Sequence, residues 1–242
     1  MQREQEITLD REFFIGIDLA WGEKNPSGFC VLELRATKLY IISLELFYTL
    51  EDIVEKIKEY QKFKVSIGVD APLLIPNEEG NREIEKAFNK DFSPYKIAML
   101  PVNRKIMQTY SHKIRSEVLF EYLSTLGYVR DKEAKKRVFE VYPHATIAVA
   151  FNNYKILPYK RKKGRDNAFI KKQLKIYQTY LQKVCMPHSA LMQDLEILRG
   201  RSLKEYEDLL DAITAAYTLF FTQRNKSKYY TLEGVDTFVS PL

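Results

Sequence analysis

Glycine, cysteine and histidine are all scarce in this chain, with nine, two and three copies among 242 residues. The nine glycines never cluster, so the Gly-rich loops that cradle nucleotide phosphates are absent. Cys30 and Cys185 lie far apart and outside any CxxC pattern. They cannot build a zinc site between them, and both read as buried, reduced thiols. His112, His144 and His188 are equally scattered, so a bound metal would have to rest on carboxylates. No apolar run is long enough to cross a bilayer, and Met1 to Glu12 is polar and charged, without the apolar core of a signal peptide. The cytosol is the expected compartment, with no membrane partner. Internal repeats and low-complexity segments are missing too.

What remains is an ordinary globular balance, 45% hydrophobic and 29% charged, sufficient for one sizeable core. The formal net charge is +6 and the sequence pI about 9.0. That balance permits a nucleic-acid partner, because clustered cations release counterions from phosphates, but does not demand one.

Phe13 to Asp18 is a short apolar run closed by an acid, as in a buried strand. After the turn sequence Asn25-Pro-Ser-Gly28, residues 29–34 and 38–47 alternate apolar and polar positions. Together they predict three antiparallel strands over residues 13–47. Thr49 opens a helix through Tyr60, with Thr49 and Asp52 as a capping pair and Ile53, Val54 and Ile57 as the inner stripe. Lys64 to Val69 is a further strand, followed by Asp70 and stopped by Pro72 and Pro76. Residues 78–135 are charged and mainly helical in pattern. No Gly/Ser-rich linker flanks them, so they read as a helical insertion within one domain spanning 1–242. Arg137 to Val141 predicts a strand carrying Glu140. Residues 165–184 predict a helix with Ile170, Leu174, Tyr177, Leu181 and Val184 on one side. A last helix is expected from Ser202, with a Ser202/Glu205 capping box, to about Thr222, then a short strand at 237–239.

Three short apolar strands thus carry acids: Asp18, Asp70 and Glu140. A carboxylate among apolar residues is costly to bury without a compensating cation, and magnesium or manganese, hard ions preferring oxygen ligands, would compensate all three. Each acid taken singly is equally a capping or salt-bridged carboxylate. On the last helix Asp208 and Asp211 share a face with Ala212 and Ala215, while Tyr206, Leu210, Ile213 and Tyr217 occupy the opposite one. Small residues let that acidic face approach a sheet. A solvated helix start, favoured by the dipole, would look the same in isolation.

The segments Ile15-Gly-Ile-Asp18-Leu-Ala-Trp21, Asn25-Pro-Ser-Gly28, Val69-Asp-Ala-Pro-Leu73, Glu140-Val-Tyr-Pro143 and Asp211-Ala212 resemble, in order, the domain of unknown function 429 family. Gly80, Arg82 and Glu85, and then Pro101 and Asn103, resemble it as well. The resemblance runs from about residue 13 to 222. It implies an α/β, ribonuclease H-like mixed sheet, three antiparallel strands then parallel ones, flanked by helices, and a predicted nuclease activity. In such enzymes strand acids and a final-helix acid hold two metals that cleave a phosphodiester. Carried over, the resemblance implies Mg²⁺ or Mn²⁺, two ions, with Asp18 bridging them. Asp70 or Glu140 would hold one ion and Asp211, helped by Asp208, the other.

Between Lys155 and Lys175 stand nine Lys or Arg and one acid, Asp166. The densest part is Lys160, Arg161, Lys162, Lys163 and Arg165, with Tyr154 and Tyr159 beside it, a mixture suited to a nucleic-acid backbone and its bases. A solvated basic loop explains the same run. His144 is a candidate proton carrier or a structural histidine, and Trp21 and Tyr142 either stack on substrate or pack in the core. The leading expectation is a metal-dependent nuclease acting on DNA or RNA. A non-catalytic nucleic-acid-binding or scaffold module on the same fold is the alternative, and an actin- or sugar-kinase-type phosphotransferase, which needs the missing glycine loops, stands further behind.

Overall fold

The computed structural model describes residues 11–242; residues 1–10, where most of the polar lead-in lies, fall outside the described residues. Strands β1 (Glu12–Asp18), β2 (Ser27–Arg35) and β3 (Lys38–Phe47) form an antiparallel meander. Strands β4 (Lys64–Val69) and β5 (Lys136–Glu140) continue the sheet in parallel on the other side of β1. A hairpin of β6 (Ser227–Leu232) and β7 (Val235–Pro241) closes it, giving the order β3-β2-β1-β4-β5-β7-β6. This is the mixed sheet that the sequence predicts, three antiparallel strands followed by parallel ones.

Strand parity decides which side chains can meet. Phe13, Ile15 and Ile17 of β1 and Val65, Ile67 and Val69 of β4 point to one face. There they pack under helix α1 (Leu50–Lys58), through Ile53, Val54 and Ile57, and under the helix at residues 115–125, through Leu119 and Leu123. Phe14 joins the cluster on the opposite face, so Gly16 and Asp18, two and four residues on, share that side. The C-terminal long helix (Gly200–Thr222) lies across it.

That helix sits unusually close. A Cβ on Gly16 would run into the backbone O of Ala212 and N of Ala216, and one on Gly68 would lie 2.6 Å from the backbone O of Ala215. The alanines expected to let the helix approach therefore do so only because the strands answer with glycine. Gly16→Ala should cost about 2–3 kcal/mol or more by overpacking, read as a lowered midpoint in urea unfolding. An unchanged midpoint would show that the helix can retreat freely.

Among the described residues the remaining α-helices are α2 (Glu83–Phe92), α3 (Arg104–Met107), α4 (Arg115–Thr125), α5 (Pro143–Phe151), α6 (Asn167–Gln182) and α7, the long helix just described. The stretch 78–135 holds α2 to α4, but much of it is irregular, so helical composition overstated it. Helix α5 carried no usable periodicity, because Ala145, Thr146, Ile147 and Ala148 are all buried. Thr146 ties it to α7 through a 2.7 Å hydrogen bond with Thr218. Helix α7 begins two residues earlier than expected, and the Ser202/Glu205 capping box does not form. Ser202 Oγ instead accepts from Arg199 N at 3.0 Å, and Glu205 pairs with Arg201. Thr49 does accept from Asp52 N, at 3.1 Å, as its pairing predicted. The last strand is longer than 237–239 and is half of a hairpin turned at Glu233-Gly234, both at positive φ. Cys30 and Cys185 are buried free thiols. No helix among the described residues is long and apolar enough to cross a membrane.

Candidate metal centre

Asp18 ends β1 and Asp70 immediately follows β4. These strands run parallel with Ile17 beside Val69, and Asp70 N donates to Ile17 O at 2.8 Å. The two acids are therefore neighbours by register on the α7 face. Helix α7 crosses the same strand ends and adds Glu207, Asp208 and Asp211. Five carboxylates thus come from three elements, and four of them, Asp18, Asp70, Asp208 and Asp211, are those the sequence singled out.

Glu140 lines the cavity beside Asp18 and Asp70, but its carboxylate is already engaged by other donors. In β5 it shares a face with Val138, which packs under α1 and α4, while Phe139 and Val141 face α7. Its register partner on β4 is Val69, not Asp70. Its carboxylate accepts from Leu73 N at 2.7 Å and from both terminal nitrogens of Arg82, Nη1 at 2.9 Å and Nη2 at 2.8 Å. Arg82 also grips Glu85, with Nη2 2.6 Å from Oε1. Strand parity turns Glu140 into the anchor of a buried ion-pair network under the loop after Asp70.

Cations enter the acid cluster from two sides. Lys160 Nζ bonds Asp211 Oδ2 and lies 3.4 Å from Glu207 Oε1. Lys204 Nζ bonds Asp208 and stands 3.0 Å from Glu207. Asp211 Oδ1 also accepts from the hydroxyls of Tyr159 at 2.6 Å and Tyr177 at 3.0 Å. Burial pushes the Asp211 carboxyl up, but the Lys160 charge and the Lys160 and Tyr159 hydrogen bonds outweigh it and hold the group below its ordinary value. Among the described residues Asp18 and Asp70 accept no Lys or Tyr hydrogen bond, and Asp18 shares one with Asp208. Burial raises Asp18 well above the usual carboxylate range, with Lys160 opposing and Asp211, Asp70 and Asp208 adding to the rise. Burial likewise pushes Asp70 up to about 7. Asp208 is raised by burial despite Lys204.

A carboxyl whose folded pKa exceeds its unfolded value binds its proton more tightly when folded. Its contribution to stability is then lost as pH rises from the unfolded value through the folded one. For Asp70 that window runs from 3.8 to about 7. In chelator, Asp70→Asn should therefore gain in melting temperature over wild type as pH rises through the window, and the difference should level off above it. A difference independent of pH would contradict a raised carboxyl here.

Among the described residues no three His, Cys, Asp or Glu side chains stand close enough to hold an ion as they are. The donor set nonetheless fits a hard divalent cation: all oxygen, and five acids against two ammonium groups. The site opens on both sides of Asp18. One cavity, ≈ 370 Å³, is walled by Trp21, Lys24, Tyr110, Arg201 and Lys204. The other, ≈ 450 Å³, is walled by Asp70, Met99, Tyr142, His144, Lys160 and Lys162. Trp21 borders both and meets the Tyr110 ring edge-on at 5.1 Å between centroids. His144 is lowered to about 4, chiefly by burial, and so is neutral at pH 7.

The basic run divides. Lys160 turns into the acids and Lys162 lines the second cavity. Arg161 instead binds Asn167, and Arg165 donates to Lys160 O at 2.8 Å. Lys163 is exposed. Lys171, Lys172 and Lys175 line a separate hollow of ≈ 640 Å³ beside α6. Glu207 and the inward Lys160 went unread in the sequence. Glu207 had a signal, standing four residues before Asp211 on the same helix face; nothing local marks Lys160 among its basic neighbours.

A family model described as "Protein of unknown function (DUF429)" matches residues 16–229. No curated protein matches significantly. Among solved structures, Thermus thermophilus RuvC is similar at 10% identity and a TM-score of 0.39, covering 95% of this chain and 99% of that one. An Aquifex aeolicus PPX-GPPA enzyme aligns at 13% identity and a TM-score of 0.19, covering 87% and 93%. The fold assignment rests on the strand order itself.

Proposed function

The chain belongs to the DUF429 family, and from that premise we propose that it is a divalent-metal-dependent nuclease hydrolysing phosphodiester bonds of DNA or RNA. The observation that carries this reading is the adjacent pair Asp18 and Asp70 at the ends of parallel strands, on the sheet face that α7 crosses with Asp208 and Asp211. Asp18, at the centre, would be the ligand common to the site. Asp70 would help to hold a divalent ion from the neighbouring strand, and Asp211 with Asp208 would do so from α7. Glu140 holds the loop that carries Asp70. When bound, Mg²⁺ or Mn²⁺ at such a site supplies an activated water and charge to stabilise the leaving oxygen.

The chain's own cations serve the substrate. Lys162 on one side of Asp18, and Lys24 and Arg201 on the other, line the two cavities and suit a phosphate backbone running past the acids. Trp21 stands between the cavities, where its half-buried ring can stack on a base. His144 also lines the second cavity, where burial disfavours its protonated form.

The competing reading is a non-catalytic module that keeps the acids for structure. It draws support from Asp211 on Lys160, Asp208 on Lys204 and Glu140 on Arg82. It leaves Asp18 and Asp70 without a role. Incubation with end-labelled single- and double-stranded DNA and RNA in Mg²⁺, in Mn²⁺ and in chelator separates the two. Cleavage in either ion but not in chelator is expected; its absence on every substrate favours the module.

A further inference from the structure

We propose that Lys160 is an internal counter-cation: its ammonium occupies the carboxylate oxygens that a divalent ion needs, and it must leave Asp211 before the ion can bind. The inference rests on the metal-site reading above and deepens it by assigning the control of metal entry to one side chain.

Three observations carry it. The first is position. Lys160 Nζ is bonded to Asp211 Oδ2 and lies 3.4 Å from Glu207, and its charge also acts on Asp18 and Asp70. It therefore sits at the focus of the cluster rather than on its edge. An ammonium and a divalent ion cannot share Asp211 Oδ2 at contact distance, since both are cations.

The second observation is that the chain delivers Lys160 there by construction. The ring of Tyr159 is fully buried and its hydroxyl donates to Asp211 Oδ1 at 2.6 Å. On the other side Arg165 clamps the Lys160 carbonyl at 2.8 Å, across the turn made at Gly164 with φ +86°. Neighbouring anchors fix the backbone and leave only the four-carbon stem free.

The third is an exit. The Lys160 side chain is 30% exposed and opens into the cavity that also holds Lys162 and Tyr142. On leaving Asp211 the ammonium has solvent to receive it, beside the place where substrate phosphate would lie. Lys204, by contrast, is 57% exposed and reaches Asp208 and Glu207 from one turn earlier on their own helix, so its release requires little.

A purely structural ion pair would show the same geometry, and metal affinity distinguishes the two. Calorimetric titration of the full chain with Mn²⁺ alone should show Lys160→Met binding at least tenfold more tightly than wild type. Lys160→Arg should stay within about threefold of it. In chelator Lys160→Met should melt lower than wild type, and Mn²⁺ should raise its melting temperature by more. Equal or weaker Mn²⁺ binding by Lys160→Met overturns the inference. If wild type still binds Mn²⁺ and Asp18→Asn does not, that result leaves the metal site standing; if neither wild type nor Lys160→Met binds Mn²⁺, both readings fall. Should Lys160→Met fail to fold, ¹⁵Nζ-lysine spectra of wild type titrated with Mg²⁺ decide. The Lys160 ammonium signal should move and gain solvent exchange as the ion enters, and a signal unmoved at saturating Mg²⁺ overturns the proposal.

Discussion

Asp18→Asn is expected to reduce Mg²⁺- or Mn²⁺-dependent cleavage by roughly 10³-fold or more while raising the melting temperature of the metal-free protein. The two effects have one origin. Asp18 lies at the meeting point of β1, β4 and α7, pushed well above the usual carboxylate range by burial and by Asp211, Asp70 and Asp208, with Lys160 opposing. A carboxyl raised in this way stabilises the fold least when ionised. Its contribution falls as pH climbs from the unfolded value through the folded one, and at neutral pH the protein carries the full penalty. Asparagine keeps the shape and removes the charge, so the apo protein gains while the ion loses its bridging ligand. Functional sites commonly trade stability for activity in this manner. Paired melting curves show it: Asp18→Asn should melt higher than wild type in chelator, and Mn²⁺ should raise wild type but not the variant. Full cleavage by Asp18→Asn, or a variant that melts lower in chelator, would remove Asp18 from the centre of the site.

Arg82→Met should cost about 3–5 kcal/mol, read from urea unfolding, because one guanidinium satisfies two buried carboxylates at once. Its Nε and Nη2 reach Glu85 Oε1 at 2.9 and 2.6 Å, Nη1 and Nη2 reach Glu140, and Nη1 also donates to Leu74 O at 2.7 Å. Both ion-pair partners are almost wholly out of solvent. Without the guanidinium each acid must either take up a proton or remain an unpaired charge in the interior, and both are expensive. Lysine would not rescue, since a single ammonium cannot span two carboxylates with a planar fork. Adding Glu140→Gln to Arg82→Met should recover part of the loss. The network also fixes the loop after Asp70, through Leu73 N on Glu140 and Leu74 O on Arg82. Arg82→Met should therefore lower cleavage even below its unfolding range. A loss under about 1 kcal/mol would mean that the acids find other donors.

The sheet and its founding acids were legible because a single periodicity encodes both. The apolar run at 13–18 and the alternation in 29–34 and 38–47 mark strands, and an acid closing an apolar strand marks a carboxylate at a strand end. Asp208 and Asp211 were legible for the analogous helical reason. Glu140 shows where local pattern runs out. It looks like Asp18 and Asp70 in sequence and borders the same cavity, but its register opposite Val69 and its bonds to Arg82, which set it apart from them, are not local features. Lys160 shows a second gap. Its inward turn depends on Tyr159 docking against Asp211, a contact between residues 52 positions apart. Helix α5 is hidden by burial on every side, and β6 by its short, turn-bound pairing with β7. Arg82 and Glu85 were visible only as motif positions, and their role emerges from a buried network that no spacing announces.

A crystal grown in Mn²⁺, with anomalous scattering collected at the manganese edge, tests the account at its centre. The account predicts an anomalous peak in contact with carboxylate oxygens of both Asp18 and Asp70, with Asp211 or Asp208 at the same ion or a second one, and Lys160 withdrawn from Asp211. An empty acid cluster with Lys160 still bonded to Asp211 at saturating Mn²⁺ would contradict it.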